Sequence, residues 1–594
     1  MQLPHKLRAW AAKLDMLGDT PLVLLAALVG LAGGFASIIF HWLIEFFTRL
    51  SLHDSRSLLA FLGRFYVVVP AVTGGLLVGL LCYFLAREAK GHGVPEVMLA
   101  IARRGGLIDP RVPAVKAVAS AVTIGSGGSA GPEGPIVQIA AGLGSLIGQF
   151  FKMSEARIKT LVGCGAAAGI AAIFNAPVGG VLFALEVVLG EFSVSAFSMM
   201  VISAVTAAAV ARVYLGDQPA FQAPAYHLVS AQELFLYALL GILSALVAVL
   251  YIRLLYQAED LFARLHRLPE YVRPALGGVM FGLVGVFVPL SMGAGDTGIE
   301  SALYEKLPLV ALASLALLKI VTTAITLGSG GSGGVFAPGL FIGAMTGGAF
   351  GALVHRLYPA VTASPGAYAL VGMGAVFAAS THAPMTGIII LFEITHDYRI
   401  ILPLMISTVT GTLLAARVSP ATIYTTNLLR RGIDIRAGKD VNLMRSILVR
   451  EAMCTRINTV RDDMKLRDVI RIMQETRHNG FPVLDASGQL CGVITLDDIR
   501  KTKLEGRLET PVKDVMTTDL VVTTPLETLN DVSPKFAFRD VGRLPVVDPS
   551  NPRRLVGILT RSDIIKAYNR RLLEPSANPG PSAVAEAKRS DSLT

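Results

Sequence analysis

Charged residues and cysteines are scarce in this chain of 594 residues. Only 16% of the residues are charged, 53% are hydrophobic and the mean hydropathy is +0.59, a composition that excludes an ordinary soluble protein. The four cysteines are widely separated and lack metal-ligand spacing, so neither a zinc site nor a disulfide framework is indicated. Long hydrophobic runs fill most of residues 21–417 and predict a membrane protein.

Positive charge exceeds negative charge by 10, and the pI is about 9.4. We attribute this excess to basic residues beside membrane spans, and we expect no nucleic acid binding. Lys6, Arg8 and Lys13 precede the first apolar run, as in a secretion signal, but this polar lead is long and contains Asp15 and Asp19. Since apolar runs follow throughout, we predict a retained first helix and cytoplasmic N- and C-termini.

Many of the apolar runs are candidate membrane spans. They lie at residues 21–47, 66–86, 134–150, 159–189, 195–215, 231–256, 274–291, 308–327, 336–356, 366–393 and 400–417. Several are longer or shorter than the ~20 residues of a simple spanning helix. This predicts that some runs hold two short helices and that others are re-entrant or strongly tilted.

Two glycine-rich segments interrupt the apolar region at corresponding places, Gly125–Pro135 and Gly328–Pro338, and Lys116 and Lys319 precede them at equal spacing. Consecutive glycines that end in proline leave backbone amides free in the bilayer, and an anion is their natural partner. Close helix packing is the alternative interpretation. The duplication predicts an all-α polytopic membrane domain with inverted repeats, broken or re-entrant helices, and a ligand site at mid-membrane.

A second pair of motifs extends the duplication. The segment Asn175–Pro177 leads to Glu186, and His382–Pro384 leads to Glu393, with the same spacing from proline to glutamate. With the glycine-rich segments, these residues resemble the CLC family of chloride channels and proton-coupled chloride exchangers, over roughly residues 20–570. The resemblance implies selective transport of chloride or a similar monovalent anion, rather than enzymatic catalysis, by a homodimer with one pore in each subunit.

The resemblance also implies which residues bind the anion. The positions that match the anion-binding residues of the family are His92, Gly93, Val335, Phe336 and Tyr424. Amides at a helix start and a phenolic hydroxyl donate hydrogen bonds without a full positive charge, so they hold an anion loosely enough to release it.

Glu133 lies in the first glycine-rich segment, and an ionisable residue inside a membrane usually marks a transport pathway. The family resemblance makes it the gate: when ionised it occupies an anion site, and when protonated or displaced it opens the outward route. The alternative is a carboxylate paired for structure with a cation such as Lys116, although Lys116 is equally compatible with snorkelling to the cytoplasmic surface. No metal site is predicted.

Three residues depart from the family pattern. Val187 stands where many exchangers have an internal proton-transfer glutamate, and an alkyl side chain cannot relay a proton; Glu186 is expected to be structural, and Glu191 is a spare acid nearby. Channel-like passive conduction is therefore favoured, with proton-coupled exchange along a water-mediated path as the alternative. His92 replaces a serine and either tunes anion preference or is a neutral filler. Pro132 replaces a cation beside the gate.

The composition changes near residue 425, where strand-like and helix-like segments of soluble character begin. These segments are duplicated and resemble a pair of CBS domains, which implies an α/β cytosolic appendage. The predicted domains are residues 1–425 for the membrane domain, 426–445 for a linker, 446–505 and 509–570 for the CBS pair, and 574–594 for a disordered tail.

The CBS resemblance implies two nucleotide-binding turns, one with Thr495 and Asp498 and the other with Thr560 and Asp563. In such turns threonine meets phosphate and aspartate accepts from the ribose hydroxyls of ATP or AMP; a pair that binds nothing and acts as a dimerising strut is the alternative. CBS pairs also regulate cation transporters, but the intramembrane acids are too few for a cation filter. The short join between the copies suggests a prokaryotic plasma (inner) membrane.

Overall fold

The computed structural model describes residues 20–573 apart from 218–220, 222–223, 225, 434–443, 445–446, 477, 505–506 and 539–541. The chain divides into two compact units between residues 435 and 436. We call their described parts the membrane unit (residues 20–433) and the C-terminal unit (residues 444–573). The predicted tail, much of the predicted linker and the basic N-terminal residues lie outside the described residues.

The membrane unit is helical throughout. Its α-helices are α1 (Thr20–Thr48), α2 (Ser55–Leu58), α3 (Val68–Phe84), α4 (Val94–Arg103), α5 (Arg111–Gly125), α6 (Glu133–Phe150), α7 (Glu155–Phe174), α8 (Pro177–Phe183), α9 (Val194–Leu215), α10 (Glu233–Ala263), α11 (Arg273–Phe287), α12 (Asp296–Leu303), α13 (Leu309–Gly328), α14 (Phe336–Leu357), α15 (Pro365–Thr381), α16 (Pro384–Thr395), α17 (Ile401–Val418) and α18 (Thr425–Arg430). π-helical turns lie at Arg49–Asp54 and Ala184–Leu189, and 3-10 helices lie at Ala60–Val67, Arg87–Ala89, Glu270–Val272, Pro289–Ser291 and Tyr398–Ile400.

Eight helical stretches among the described residues are long and apolar enough to cross a membrane. They are Pro21–Leu58, Ala60–Phe84, Glu155–Phe174, Val194–Leu215, Glu233–Ala263, Leu309–Gly328, Phe336–Leu357 and Tyr398–Val418. The most apolar windows of α7 and α14 are 78% buried, more than those of the other stretches, so these two helices form the interior of the unit. The predicted all-α polytopic membrane fold is confirmed.

The predicted spans 159–189 and 366–393 are each broken in two. Asn175 caps the end of α7 and His382 caps the end of α15, and both residues have a left-handed φ of 54°. An Ala-Pro dipeptide follows each of them, and the proline opens the next short helix, α8 or α16. The expectation that some apolar runs contain two short helices is therefore confirmed.

The two repeats cap each other's helices. Glu186 accepts hydrogen bonds from the amides that open α16, at 3.3 and 2.8 Å, and from the Thr386 hydroxyl at 2.7 Å. Glu393 accepts in the same way from the amides that open α8, at 3.0 and 2.6 Å. A carboxylate at a helix N-terminus satisfies amides that have no partner within the helix. The structural role predicted for Glu186 is confirmed.

The C-terminal unit contains helices and strands. Its elements are α19 (Val449–Ala452), β1 (Val460–Arg461), α20 (Leu466–Thr476), β2 (Gly480–Leu484), β3 (Leu490–Thr495), α21 (Leu496–Leu504), a 3-10 turn (Val512–Asp514), α22 (Leu529–Phe538), β4 (Arg543–Asp548), β5 (Asn551–Thr560) and α23 (Arg561–Leu573). Strand β1 pairs parallel with β2, β2 pairs antiparallel with β3, and β4 pairs antiparallel with β5. The predicted α/β character is confirmed.

In each half of the C-terminal unit, the leading segment, which precedes the first strand of that half, pairs with a strand of the other half. Cys454 and Ile558 exchange backbone hydrogen bonds of 2.9 and 3.0 Å, and Val493 and Thr517 exchange bonds of 3.0 and 2.9 Å. The sequence copies at 446–505 and 509–570 are thus interlocked rather than separate, because each leading segment completes the sheet edge of the other copy.

The predicted linker begins inside a helix. Helix α18 continues to Arg430, whose guanidinium donates to the carbonyl of Tyr256 at 3.1 Å. The next residue, Arg431, forms an ion pair with Glu96 at 2.6 Å. These contacts hold residues 426–431 against the membrane unit, so this part of the predicted linker is an ordered end of that unit.

Candidate anion pathway

The two glycine-rich segments meet inside the membrane unit. Gly131 and Gly334 exchange backbone hydrogen bonds of 2.9 and 2.6 Å, and a further bridge joins Gly91 to Ser332. A Cβ atom at Gly131 would lie only 2.1 Å from a carboxylate oxygen of Glu133, so a larger residue there would displace the Glu133 side chain. Helices α5 and α13 end here and α6 and α14 begin here, which gathers helix ends with free backbone groups around one place.

Glu133 is the first residue of α6, and only 2% of its surface is exposed. Its carboxylate accepts a hydrogen bond from the Ala337 amide, at 3.3 Å, in the first turn of α14. Within the described residues it forms no ion pair with a lysine or arginine. Because a helix N-terminus offers free amides and a partial positive charge, the carboxylate occupies a place that would also stabilise a dissolved anion.

Val335, Phe336 and Tyr424 are brought together around the start of α14. All three are buried, and Phe183 contacts two of them edge-on, with ring centroids 6.3 Å from Phe336 and 6.4 Å from Tyr424. In the part of the chain that the structure describes, the Tyr424 hydroxyl has no hydrogen-bond partner. A hydroxyl and amides without protein partners are the donors that an anion needs.

Tyr251 also belongs to this site, although the sequence analysis did not identify it. Its hydroxyl donates to the carbonyl of Val335 at 3.2 Å and so fixes the residue that precedes α14. The available signal was a tyrosine inside an apolar run. That signal is weak, because buried tyrosines usually find a hydrogen-bond acceptor in any protein core.

The loop of His92 and Gly93 lies against the residue that follows Glu133. Gly93 has a φ of +87°, and a Cβ atom there would lie 2.8 Å from the carbonyl oxygen of Gly134. A Cβ atom at Gly134 would in turn lie 2.1 Å from the carbonyl oxygen of His92. The His92 side chain is 7% exposed, and its ring meets the ring of Tyr256 edge-on, with centroids 6.2 Å apart.

Lys116 supports this loop. Its ammonium group is fully buried and donates to the carbonyls of Ala89 at 3.0 Å and Gly91 at 2.6 Å. Both interpretations offered for Lys116 are therefore wrong: it does not snorkel to the surface, and within the described residues it does not pair with Glu133. Hydrogen bonds to the backbone carbonyls of Ala89 and Gly91 compensate its buried charge instead.

A cavity of about 240 Å³ opens beside His92, on the side of the membrane unit where α18 ends. Lys90 and Glu270 form an ion pair at 3.1 Å in its wall. The hydrogen bond from Lys90 lowers the pKa of Glu270 below its ordinary value, so this carboxylate stays ionised near neutral pH. Ion pairs thus give the wall of this cavity a polar character.

Val187 lies within the π-helical turn Ala184–Leu189 and is 6% exposed, so its alkyl side chain packs in the core. Glu191 follows that turn and is exposed. Among the described residues that line the cavity beside His92, neither is present.

The two predicted nucleotide turns have the same geometry. Asp498 accepts from the amide and hydroxyl of Thr495, at 2.9 and 2.6 Å, and Asp563 accepts from Thr560 at 3.0 and 2.6 Å. Asp531 accepts in the same way from Thr528, which lies outside these turns. A threonine and an aspartate at this spacing therefore also occur where they only cap a helix.

Known proteins resemble both units. Residues 74–416 match the family described as voltage gated chloride channel, and residues 449–505 and 512–570 each match the CBS domain. The chain is 35% identical over 421 residues to the putative chloride channel protein ClcB-like of Ralstonia nicotianae, covering 69% of this chain and 97% of that relative. It is 33% identical over 426 residues to the H(+)/Cl(-) exchange transporter ClcA of Vibrio parahaemolyticus, covering 70% of this chain and 91% of that relative.

A solved structure agrees with these sequence matches. A slow cyanobacterial Cl-/H+ antiporter is 26% identical, aligns with a TM-score of 0.65, and is matched over 97% of its length by 69% of this chain. The sequence match covers more than half of the chain, and the fold brings the two glycine-rich breaks together around a buried carboxylate. This membrane protein therefore belongs to the voltage gated chloride channel (CLC) family of anion transporters and carries two CBS domains.

Proposed function

We propose that this protein exchanges chloride, or a similar monovalent anion, for protons across the membrane, and that Glu133 acts as both gate and proton acceptor. The observation that carries this proposal is the hydrogen bond from the Ala337 amide to the Glu133 carboxylate, because it puts a titratable anion in competition with the transported one. The names of relatives such as the Vibrio exchange transporter also support proton coupling.

The residues have separate tasks in this mechanism. The ionised Glu133 carboxylate fills the place at the start of α14, and protonation removes its charge and releases that place to an incoming anion. The amides of Val335 and Phe336 and the hydroxyl of Tyr424 then hold the anion. His92 and Gly93 form its binding surface on the side of the cavity.

Uncoupled, channel-like conduction is the second candidate, and Val187 favours it. A valine cannot carry a proton, so an exchanger built on this chain needs a path made of water or of other side chains. The polar cavity beside His92 supplies space for water, which supports exchange over conduction.

The proposed setting is a homodimer in a prokaryotic plasma (inner) membrane, with both termini in the cytoplasm. In this arrangement residues 1–425 transport the anion, and the CBS pair at 446–570 faces the cytosol. Binding of ATP or AMP at Thr495, Asp498, Thr560 and Asp563 is proposed for that pair. In each turn the aspartate accepts from the threonine hydroxyl at 2.6 Å, which holds together the two residues that the CBS resemblance assigns to phosphate and ribose.

Liposomes test the proposed exchange. With purified protein, an outward chloride gradient and equal pH on both sides, chloride efflux should drive protons inward until an opposing pH gradient forms. Glu133→Gln should abolish proton movement and keep chloride movement, since an amide cannot exchange protons near neutral pH. Chloride flux that never moves protons in the unaltered protein would establish channel-like conduction instead.

A further inference from the structure

The cavity beside His92 contains charges of both signs, and most of them are paired within its wall. These fixed groups are Lys90 with Glu270 at 3.1 Å, Arg431 with Glu96 at 2.6 Å, and Arg87 over the ring of Tyr83 at 5.1 Å from its centroid. A group held in such a pair is stabilised in its charged form and is a poor proton carrier near neutral pH.

Glu259 is different. It lines the same cavity from α10, and within the described residues it has neither a hydrogen bond nor an ion pair. An unpaired carboxylate repels anions, so at an anion pathway it works against transport unless it has another task. Glu259 lies three residues after Tyr256 on α10, a spacing that puts both on one helix face, and the Tyr256 ring contacts His92.

A further polar group of the cavity lacks a protein partner. No hydrogen bond is found for the His92 ring among the described residues, and His92 lines the cavity with Glu259. At about 240 Å³ the cavity has room for several water molecules, and water in a protein cavity needs such free donors and acceptors. The geometry therefore favours a short chain of water between Glu259 and His92.

We infer that Glu259 and His92 carry protons from the cytoplasm to Glu133. They take the role of the proton-transfer glutamate whose position is occupied by Val187 in this chain. Glu259 takes a proton from bulk water and passes it through cavity water to one nitrogen of His92. His92 releases a proton from its other ring nitrogen toward the Glu133 carboxylate and then returns to its first tautomer. No bond other than those to protons changes. This inference rests on the proposed exchange function.

The surroundings of the His92 ring favour passing a proton on over holding it. The charged groups around it are Lys116 from α5, Arg87 and Lys90 from the segment after α3, Arg431 after α18, Glu96 from α4, Glu259 from α10 and Glu270 before α11. Burial of the ring opposes a lasting positive charge on it most strongly, and the nearby cations Lys116 and Arg431 add to this, so a proton that arrives there moves on. The backbone of His92 lies against Gly134, so the loop that carries the ring is adjacent to the residue that follows Glu133.

The test compares Glu259→Gln with Glu270→Gln in full-length protein in liposomes, while chloride and protons are recorded together. The control removes an equal charge from the same cavity, but its carboxylate is paired with Lys90. We expect Glu259→Gln to slow proton transport by about a hundredfold, as for loss of a positioned proton carrier, and to change chloride flux much less. Glu259→Asp should restore proton transport, and Glu270→Gln should leave it unchanged.

The outcomes separate this inference from the proposed function. If the unaltered protein moves no protons, the exchange function fails and the inference fails with it. If the unaltered protein exchanges and Glu259→Gln exchanges equally well, only the inference is overturned. It is also overturned if both glutamine variants lose proton transport alike, if Glu259→Gln loses chloride flux as well, or if Glu191→Gln instead removes coupling.

Discussion

Removal of the Glu133 carboxylate should make chloride bind more tightly to this protein. In the structure the carboxylate accepts the Ala337 amide at the start of α14, where we propose that the transported anion binds. An anion must displace the carboxylate from this place before it can use the same donors. The variant Glu133→Ala removes that competitor and leaves the amides in position.

The structure sets the size of this effect. A hydrogen bond to a charged group contributes about 1.5–3 kcal/mol, and the 3.3 Å distance from the Ala337 amide is long, which favours the lower end. About 1.5 kcal/mol corresponds to a roughly tenfold change in affinity. Glu133→Ala should therefore bind chloride about tenfold more tightly than the unaltered protein.

Calorimetric titration of chloride into detergent-solubilised protein measures this affinity directly. Glu270→Ala is the matched control, because it removes a carboxylate from the wall of the cavity without touching the start of α14. Equal or weaker chloride binding by a folded Glu133→Ala protein would refute the competition argument. Loss of all chloride flux by the same variant in liposomes would contradict the assignment of Glu133 as the gate.

His92→Ser should change the ranking among chloride, nitrate and fluoride in flux assays, since a small hydroxyl donor replaces a ring that lines the cavity; an unchanged ranking would assign His92 to packing. Glu186→Gln should lower the stability of the membrane unit by about 1.5–3 kcal/mol, because charge-assisted bonds to the start of α16 are lost, and thermal unfolding measures this. The double variant Asp498→Ala and Asp563→Ala should weaken ATP or AMP binding to the full-length protein by about tenfold or more in calorimetry. Asp531→Ala, which loses a similar helix cap elsewhere, should bind nucleotide normally; no binding by the unaltered protein would favour the strut interpretation.

The sequence predicted the fold well where its signals were repeated. The glycine-rich segments, the Ala-Pro dipeptides and the paired glutamates occur once in each half. The structure joins the two glycine-rich segments, and each glutamate caps the helix that the Ala-Pro dipeptide of the other half opens. A motif that occurs twice at matching places constrains both copies, so the breaks within 159–189 and 366–393 followed from local chemistry. The match of residues 74–416 to the voltage gated chloride channel family agrees with this part of the prediction.

Residues that act through distant contacts were harder to predict. Lys116 bonds carbonyls 25 and 27 residues before it, and nothing in its own helix indicates which carbonyls those are. Tyr251 contacts Val335 from 84 residues away, and Glu259 is distinguished only by the absence of partners among the described residues that line its cavity. The interlocked CBS copies were missed for the same reason, since alternating strands and helices do not reveal which edge a leading segment completes.

The reciprocal caps of Glu186 and Glu393 also bear on how the chain is made. The amides that Glu186 caps lie 199 and 200 residues later in the sequence, and those capped by Glu393 lie 215 and 214 residues earlier. Until the ribosome has made the second half, the amides at the start of α8 therefore remain uncapped in the membrane. Contacts between such distant residues form slowly, and exposed amides are costly in lipid. The nascent first half is accordingly the stage at which we expect this protein to depend most on the insertion machinery.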